Sequence, residues 1–411
     1  MRLRILPLRI TAATTAATLA LPLLLLLLFP RRSAKGIDRL LPVAALMQSF
    51  SVRPGEPPPP AWQQRLSPDQ ASTLWGQQRR RWWQFWTSHG DAGAYLVFSA
   101  PAGAALPPDA WRVDDLVVMA PGPLARQWLE KQLQVPQRAP RGLIQRCSQS
   151  LVQQDSVYWN RAALAPLLGP LAPLAASLQQ GCFALRQDGS SLLWQGEADG
   201  TASALSSPAQ QPPPPQRVTP SDGVLLQWQG PRLALLLSGI LNATALRHVL
   251  IDRYGLTSEL IEQLQGAPFA LRLGAVKEGP YRASLALALE LPGDPSRWQR
   301  WLSVLQTALL DQALQQRSSG SGAKLWILNG EVRGGWRWLS ASRLLLFLGP
   351  EPTPSPFDLP PGDAPWMLLL KPAALAAAGW LPPAAPLVVK RAQTLVLTGR
   401  GAGVSGRLDL R

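Results

Sequence analysis

Few side chains in this sequence belong to the types that do chemistry. There are two cysteines, Cys147 and Cys182, and two histidines, His89 and His248. A structural zinc site takes four Cys or His ligands, so such scarcity removes most metal chemistry. Gly401-Ala402-Gly403-Val404-Ser405-Gly406 has the spacing of a dinucleotide-binding loop. That chemistry needs a helix N-terminus aimed at the pyrophosphate. Only five residues follow Gly406, and Leu408 to Leu410 reads as a strand, so a glycine hairpin turn is expected.

Ser321-Gly322-Ala323-Lys324 matches the Ser-x-x-Lys signature of penicillin-binding proteins. The mechanism needs the serine at a helix start, with Ser-Asp-Asn and Lys-Thr-Gly partners. Ser221-Asp222-Gly223 fits poorly and no Lys-Thr-Gly exists, so the segment reads as a linker. His248 stands beside Arg247 within a helix, and His89-Gly90-Asp91 in a turn. Asp114-Asp115, just before a strand, is a weak metal signal. No catalytic, cofactor or metal-binding set is expected.

The most unusual stretch is Gln77 to Trp86, QQRRRWWQFW. Arginine interleaved with tryptophan suits a membrane interface, single-stranded nucleic acid, or a core-packing helix with arginine along its edge. Arg79, Arg80, Arg81, Trp82, Trp83 and Trp86 are the candidate membrane-interface residues. Cys147 and Cys182 are a candidate disulfide, with two buried free thiols as the competing reading.

The elements that would hold these residues follow from composition and pattern. In 411 residues, 46% are hydrophobic and 16% charged, which excludes wholesale disorder. The net charge of +15 invites a nucleic-acid reading. Residues 1–53 weaken it, because their eight basic residues against Asp38 alone supply nearly half of that charge. Ile10 to Pro30 runs 21 residues without a charge, ending in six leucines from Leu23 to Leu28. As a helix it would span roughly 31 Å, the thickness of a hydrocarbon core. Leu28-Phe29-Pro30-Arg31-Arg32 offers no good cleavage site, so an uncleaved signal anchor is expected. The arginine-rich tail puts the body on the extracytoplasmic side.

The chain divides into 1–30 as the anchor, 31–66 as a basic and Pro-rich linker, and 67–93 as a Trp/Arg-rich helix. A first α/β module covers 94–207, a middle module with a helix pair, a hairpin and a long helix 208–317, and a second α/β module 318–411. Ser67, Pro68 and Gln70 give the Trp/Arg helix a capping box. Asp188-Gly189 turns one hairpin and Glu278-Gly279 another.

Two of these modules read alike. Trp111 to Pro121 pairs with Trp338 to Pro350. Asp155 to Trp159 followed by Arg161-Ala-Ala-Leu-Ala165 pairs with Asp363 to Trp366 followed by Pro372-Ala-Ala-Leu-Ala376. A glycine-turned hairpin closes each, Cys182 to Glu197 and Thr394 to Leu410. Phe-Ala-Leu-Arg also occurs twice, at 183–186 and 269–272. The pattern resembles uncharacterised, signal-anchored extracytoplasmic proteins of cyanobacterial type, built from repeated strand–helix–hairpin modules. The likeness covers most of residues 90–411 and carries no catalytic residue with it.

The expected fold class is therefore α+β: one N-terminal transmembrane helix, then repeated mixed α/β modules with mainly antiparallel hairpins. The expected function is a non-enzymatic binding or scaffolding protein held at the extracytoplasmic face of a membrane, with envelope-protein or lipid partners. An envelope hydrolase lacking sequence motifs is the alternative, and a nucleic-acid binder the third.

Overall fold

The computed structural model describes residues 33–53, 55–88, 93–104, 106, 107, 109–163, 178–199, 218, 223–241, 244–276, 281–352, 359, 360, 364–381 and 387–410. The expected membrane segment at 10–30 lies outside them. Among the described residues no helix is long and apolar enough to cross a membrane.

Eighteen strands dominate these residues. In the first part they are β1 (Ala44–Ser51), β2 (Arg81–Thr87), β3 (Tyr95–Ser99), β4 (Ala110–Val113), β5 (Leu116–Met119), β6 (Ser156–Trp159), β7 (Gln180–Asp188) and β8 (Ser191–Asp199). In the second they are β9 (Val224–Gly230), β10 (Phe269–Ala275), β11 (Ala283–Glu290), β12 (Gln315–Ser318), β13 (Lys324–Leu328), β14 (Glu331–Trp338), β15 (Arg343–Leu348), β16 (Trp366–Leu370), β17 (Thr394–Arg400) and β18 (Gly403–Asp409).

All of their pairings are antiparallel, and they run as one unbranched series. From one edge the first half reads β4-β5-β3-β2-β1-β6-β7-β8. From the other edge the second reads β12-β13-β14-β15-β11-β10-β9-β16-β17-β18. The halves meet where β8 pairs with β18.

Without the β12–β13 hairpin, the two orders are the same: β9, β10 and β11 stand for β1, β2 and β3, β14 and β15 for β4 and β5, and β16, β17 and β18 for β6, β7 and β8. Register repeats with order. Ala45 is an extra residue where β1 pairs with β2, and Leu225 is the extra residue where β9 pairs with β10. Such bulges bend a strand and leave one residue out of the ladder. Each bulged carbonyl is then used in the same way: Ala45 accepts from the Asn160 N–H at 2.8 Å, and Leu225 from the Lys371 N–H at 2.9 Å.

Following the pairings outward from that contact makes Trp159 equivalent to Leu370, Gly181 to Leu395 and Ala198 to Leu408. Three residues back along each strand, Gln195 is equivalent to Ser405, and these two are direct partners across the seam. A pseudo-two-fold axis therefore passes through that pair.

This corrects the expected fold. The repeated mixed α/β modules are replaced by one continuous antiparallel sheet made of two like halves. The boundaries at 94 and 318 fall inside the halves, while 208 falls in sequence between β8 and β9, where the first half gives way to the second; the middle module supplies the first three strands of the second half. The segments paired in sequence fall on β4–β5 and β14–β15, on β6 and β16, and on the closing hairpins. The two Phe-Ala-Leu-Arg phrases fall on β7 and β10, which are not equivalent.

Residues 31–66 are corrected too. The segment contains β1, which pairs with both β2 and β6. Its Ala-Ala-Leu-Met-Gln-Ser-Phe-Ser alternates in burial over most of its length, as a strand with unlike faces must. The helix expected within 67–93 is shorter. Ser67 caps it by accepting from the Gln70 N–H, but the helix spans only Pro68–Gly76. Arg-Trp-Trp-Gln-Phe-Trp-Thr then forms β2, because aromatic-rich sequence fits a pleated surface between two partner strands.

Helices cover the sheet. In the first half α1 (Ile37–Leu40), α4 (Pro123–Leu133) and α5 (Gly142–Gln153) enclose Met47, Phe85, Tyr95, Val97 and Val118. On the other side α2 (Pro60–Gln63) and α3 (Pro68–Gly76) enclose Trp82, Leu96, Phe98 and Val117. In the second half α6 (Ala234–Leu241), α8 (Ser258–Gly266), α9 (Pro295–Leu310) and α10 (Pro372–Ala377) pack on Phe269, Leu271, Leu273, Leu289 and Leu344. α7 (Thr244–Tyr254) precedes α8, and α11 (Leu387–Arg391) follows α10.

Candidate binding cleft

The Trp/Arg stretch is mostly core. Trp82 is 4% exposed and Trp83 6%. Trp82 stacks on Phe50 at 4.3 Å between ring centroids and meets Trp62 edge-on at 6.0 Å. The Trp83 indole N–H donates to the Leu151 carbonyl at 2.9 Å. Arg81 is tied to Asp155 at 2.6 Å, and Trp86 is half-buried. Only Arg79 and Arg80 are exposed, so these six residues do not form a membrane-facing surface. Alternation along β2 puts Trp82 and Trp83 on opposite faces, and each packs into a core.

Cys147 and Cys182 are joined by a disulfide, with Cα atoms 5.4 Å apart. It pins α5 to β7 inside the first core, where both residues are buried.

The remaining motif residues do not converge. Gly401 is the turn, with φ +55°, and Gly403 to Gly406 lie in β18. Ser321 donates to Glu351, while the Lys324 ammonium donates to Ser318 at 3.0 Å, so serine and lysine of the Ser-x-x-Lys phrase have separate partners. His248 is exposed on α7. His89 and Asp91 lie outside the described residues. Asp114 turns β4 into β5, accepts from the Gly36 N–H at 2.8 Å and pairs with Arg39 at 3.3 Å. Among the described residues no three His, Cys, Asp or Glu side chains gather as metal ligands would.

A site that sequence reasoning missed lies where the second half ends. There a cleft of about 700 Å³ is lined by Ala373, Leu387, Val388, Lys390, Arg391 and Leu410. Its floor is fixed by backbone. Lys371 is held to the Leu225 bulge, and Pro372 opens α10 at its first turn, where a missing N–H costs nothing. Leu375 anchors α10 in the core at 1% exposure. Ala373 donates to the Ala392 carbonyl at 3.0 Å, which brings α11 against α10. Gln393 donates to the Asp409 carbonyl and Leu410 to the Ser190 carbonyl, each at 2.9 Å, so the strand ends are held as well.

A polar network secures the same strand end. Asp409 accepts from Ser191 at 2.7 Å, Thr394 at 2.8 Å and the Arg407 Nε at 2.7 Å. Burial alone would raise the Asp409 carboxyl. The hydrogen bonds from Ser191, Thr394 and Arg407, with the Arg407 charge, outweigh it and hold the pKa below the usual aspartate value. Ser191 belongs to the first half and the other three to the second, so the network also ties the seam.

Among the described lining residues the walls are apolar and the charged side chains are Lys390 and Arg391. Leu387 is 68% exposed and Val388 44%, while Lys390 and Arg391 follow within the same short helix. Among the described residues, apolar side chains stand there beside two cations, of which Lys390 already has an interaction partner. In sequence the signal is Leu387-Val-Val-Lys-Arg391, an apolar run joined to a basic pair.

Comparison with known proteins finds no match: no protein-family model, curated protein or solved structure aligns with this chain.

Proposed function

We propose that this chain is a membrane-associated, extracytoplasmic binding or scaffolding protein. The cleft between α10 and α11 is the observation that carries the reading. Leu387 and Val388, both exposed beside an open cleft of about 700 Å³, give it an apolar surface. The disulfide supports the compartment, since such bonds persist in oxidising environments. The resemblance to cyanobacterial extracytoplasmic proteins points the same way.

Native mass spectrometry of the full-length protein, released in mild detergent, tests the reading. Wild-type protein is expected to carry small-molecule adducts that Leu387→Glu loses while keeping the same melting temperature. Adducts absent from wild type, or equal in the two proteins, contradict it.

A further inference from the structure

We infer that the end of the first half around Ser33 and Val135 lies against the surface of a lipid bilayer; this rests on the membrane-associated reading and not on the cleft. Under that reading the charge-free run Ile10 to Pro30 is the stretch of chain with the length to enter the hydrocarbon. Only Arg31 and Arg32 separate Pro30 from Ser33. Whatever their conformation, the steps from Pro30 to Ser33 reach at most about 10 Å. A headgroup layer is roughly 5–8 Å deep on each side of the hydrocarbon. Ser33 therefore stands within the headgroups or just outside them.

Ser33 is not a loose tether point. It bridges to Arg138, and the Ala34 N–H donates to the Gln137 carbonyl at 3.0 Å. The Gly36 N–H donates to Asp114 at 2.8 Å, and the Arg39 guanidinium to the Leu133 carbonyl. Ile37, Leu40 and Leu41 are buried in the first core. The chain joins the body at Ser33, so the ground around that residue stays at the headgroups however the body tilts.

The connection between α4 and α5 is the surface this brings down. Val135 precedes Gln137 by two residues, so it lies within about 7 Å of that residue. Its side chain is 62% exposed. A valine at this depth gains by leaving water. Exposed Arg138 and Arg141 suit the same depth, since their stems can lie along lipid while the guanidinium reaches phosphate and water. Exposed Asp115 lies beside Gly36 as well, so charge is not what selects this surface. Tether length and Val135 select it. A soluble protein partner would also cover Val135, but the chain does not hold one there.

Fluorescence quenching of the full-length protein in lipid nanodiscs tests the inference. Cys147 and Cys182 are bonded to each other, so one added cysteine carries the probe alone. One protein is Val135→Cys and the other His248→Cys, an exposed position on α7. α7 packs on the second-half core, on the opposite side of the sheet, as the alternation of Leu46 and Met47 between the two cores shows. Both proteins carry a nitrobenzoxadiazole label, and the bilayer carries doxyl-lipid quenchers. Quenching at 135 is expected to exceed that at 248 several-fold, with the melting temperature and the Cys147–Cys182 bond unchanged. Gln134→Cys, exposed next to Val135, takes its place if Val135→Cys melts lower. In protein that co-elutes with nanodiscs, quenching that is equal at the two positions, or stronger at 248, overturns the inference and leaves membrane association standing. Protein that elutes free of nanodiscs overturns both.

Discussion

Trp194 of the first half lies over Gly406 of the second, directly opposite it in the β8–β18 pairing. A Cβ on Gly406 would run into the indole. The same arrangement recurs along the sheet: Trp159 lies over Gly181, Trp366 over Gly399 and Trp326 over Gly334, each a direct cross-strand pair. A large aromatic can flatten onto a neighbouring strand only where that strand has no side chain. These glycines are therefore packing positions and not turns. Gly406→Ala should destabilise by about 1–3 kcal/mol, the usual cost of overpacking. Trp194→Ala in the same chain should remove most of the added penalty, so a double-mutant cycle followed by thermal unfolding should give a non-zero coupling.

Reducing the Cys147–Cys182 bond should cost roughly 3–4 kcal/mol on the chain-entropy model. The separation of 35 positions gives a loop long enough for that effect. Unfolding midpoints with and without dithiothreitol check it, with alkylation before denaturation reporting the bond. Equal midpoints would contradict a stabilising disulfide.

Trp82→Ala should cost about 3–5 kcal/mol, because it empties a space between Phe50, Trp62 and Trp75. Trp83→Ala should be comparable and also strands the Leu151 carbonyl. Vesicle association should stay unchanged in both. Lost vesicle binding at full stability would restore the membrane-interface reading of this stretch.

Asp409 makes the seam sensitive to acid. Its folded pKa is depressed, so its contribution is present above the unfolded aspartate value of about 3.9 and is lost as pH falls through the folded value. Asp409→Asn should lower stability at neutral pH and flatten the decline in acid. Unfolding curves for both proteins from neutral pH into that acid range check the sign.

Much of the second half was legible in sequence because its elements carry local signals. Thr257 caps α8, Asp294 caps α9, and strands meet at short turns. β1 was obscured by the basic and proline-rich residues around it, and no local signal distinguishes Ala44–Ser51 from a linker. β2 was read as helical because aromatic side chains at helical spacing also satisfy a strand when partners wait on both sides. Strand order was not legible. The pairing of β8 with β18 joins residues about half the chain apart, and no spacing records it. The cleft is a product of that same long-range closure, since Leu410 comes from a strand end and Leu387 from a helix. The repeat was legible as three pairs of similar phrases, but its extent needed the bulges at Ala45 and Leu225.

The two-fold sheet is the centre of this account, and the register at its axis tests it most directly. Gln195→Cys with Ser405→Cys places thiols on two residues that face each other across β8 and β18. Cross-strand partners stand at about 4.5–5.5 Å between Cα atoms, within reach of a disulfide. Under mild oxidation the full-length double variant should form a 195–405 link in high yield, with Cys147–Cys182 intact in the peptide map. Gln195→Cys with Arg407→Cys, two residues out of register, should link poorly. Efficient linking of the offset pair, or free thiols at 195 and 405 in folded protein, would contradict the joined halves.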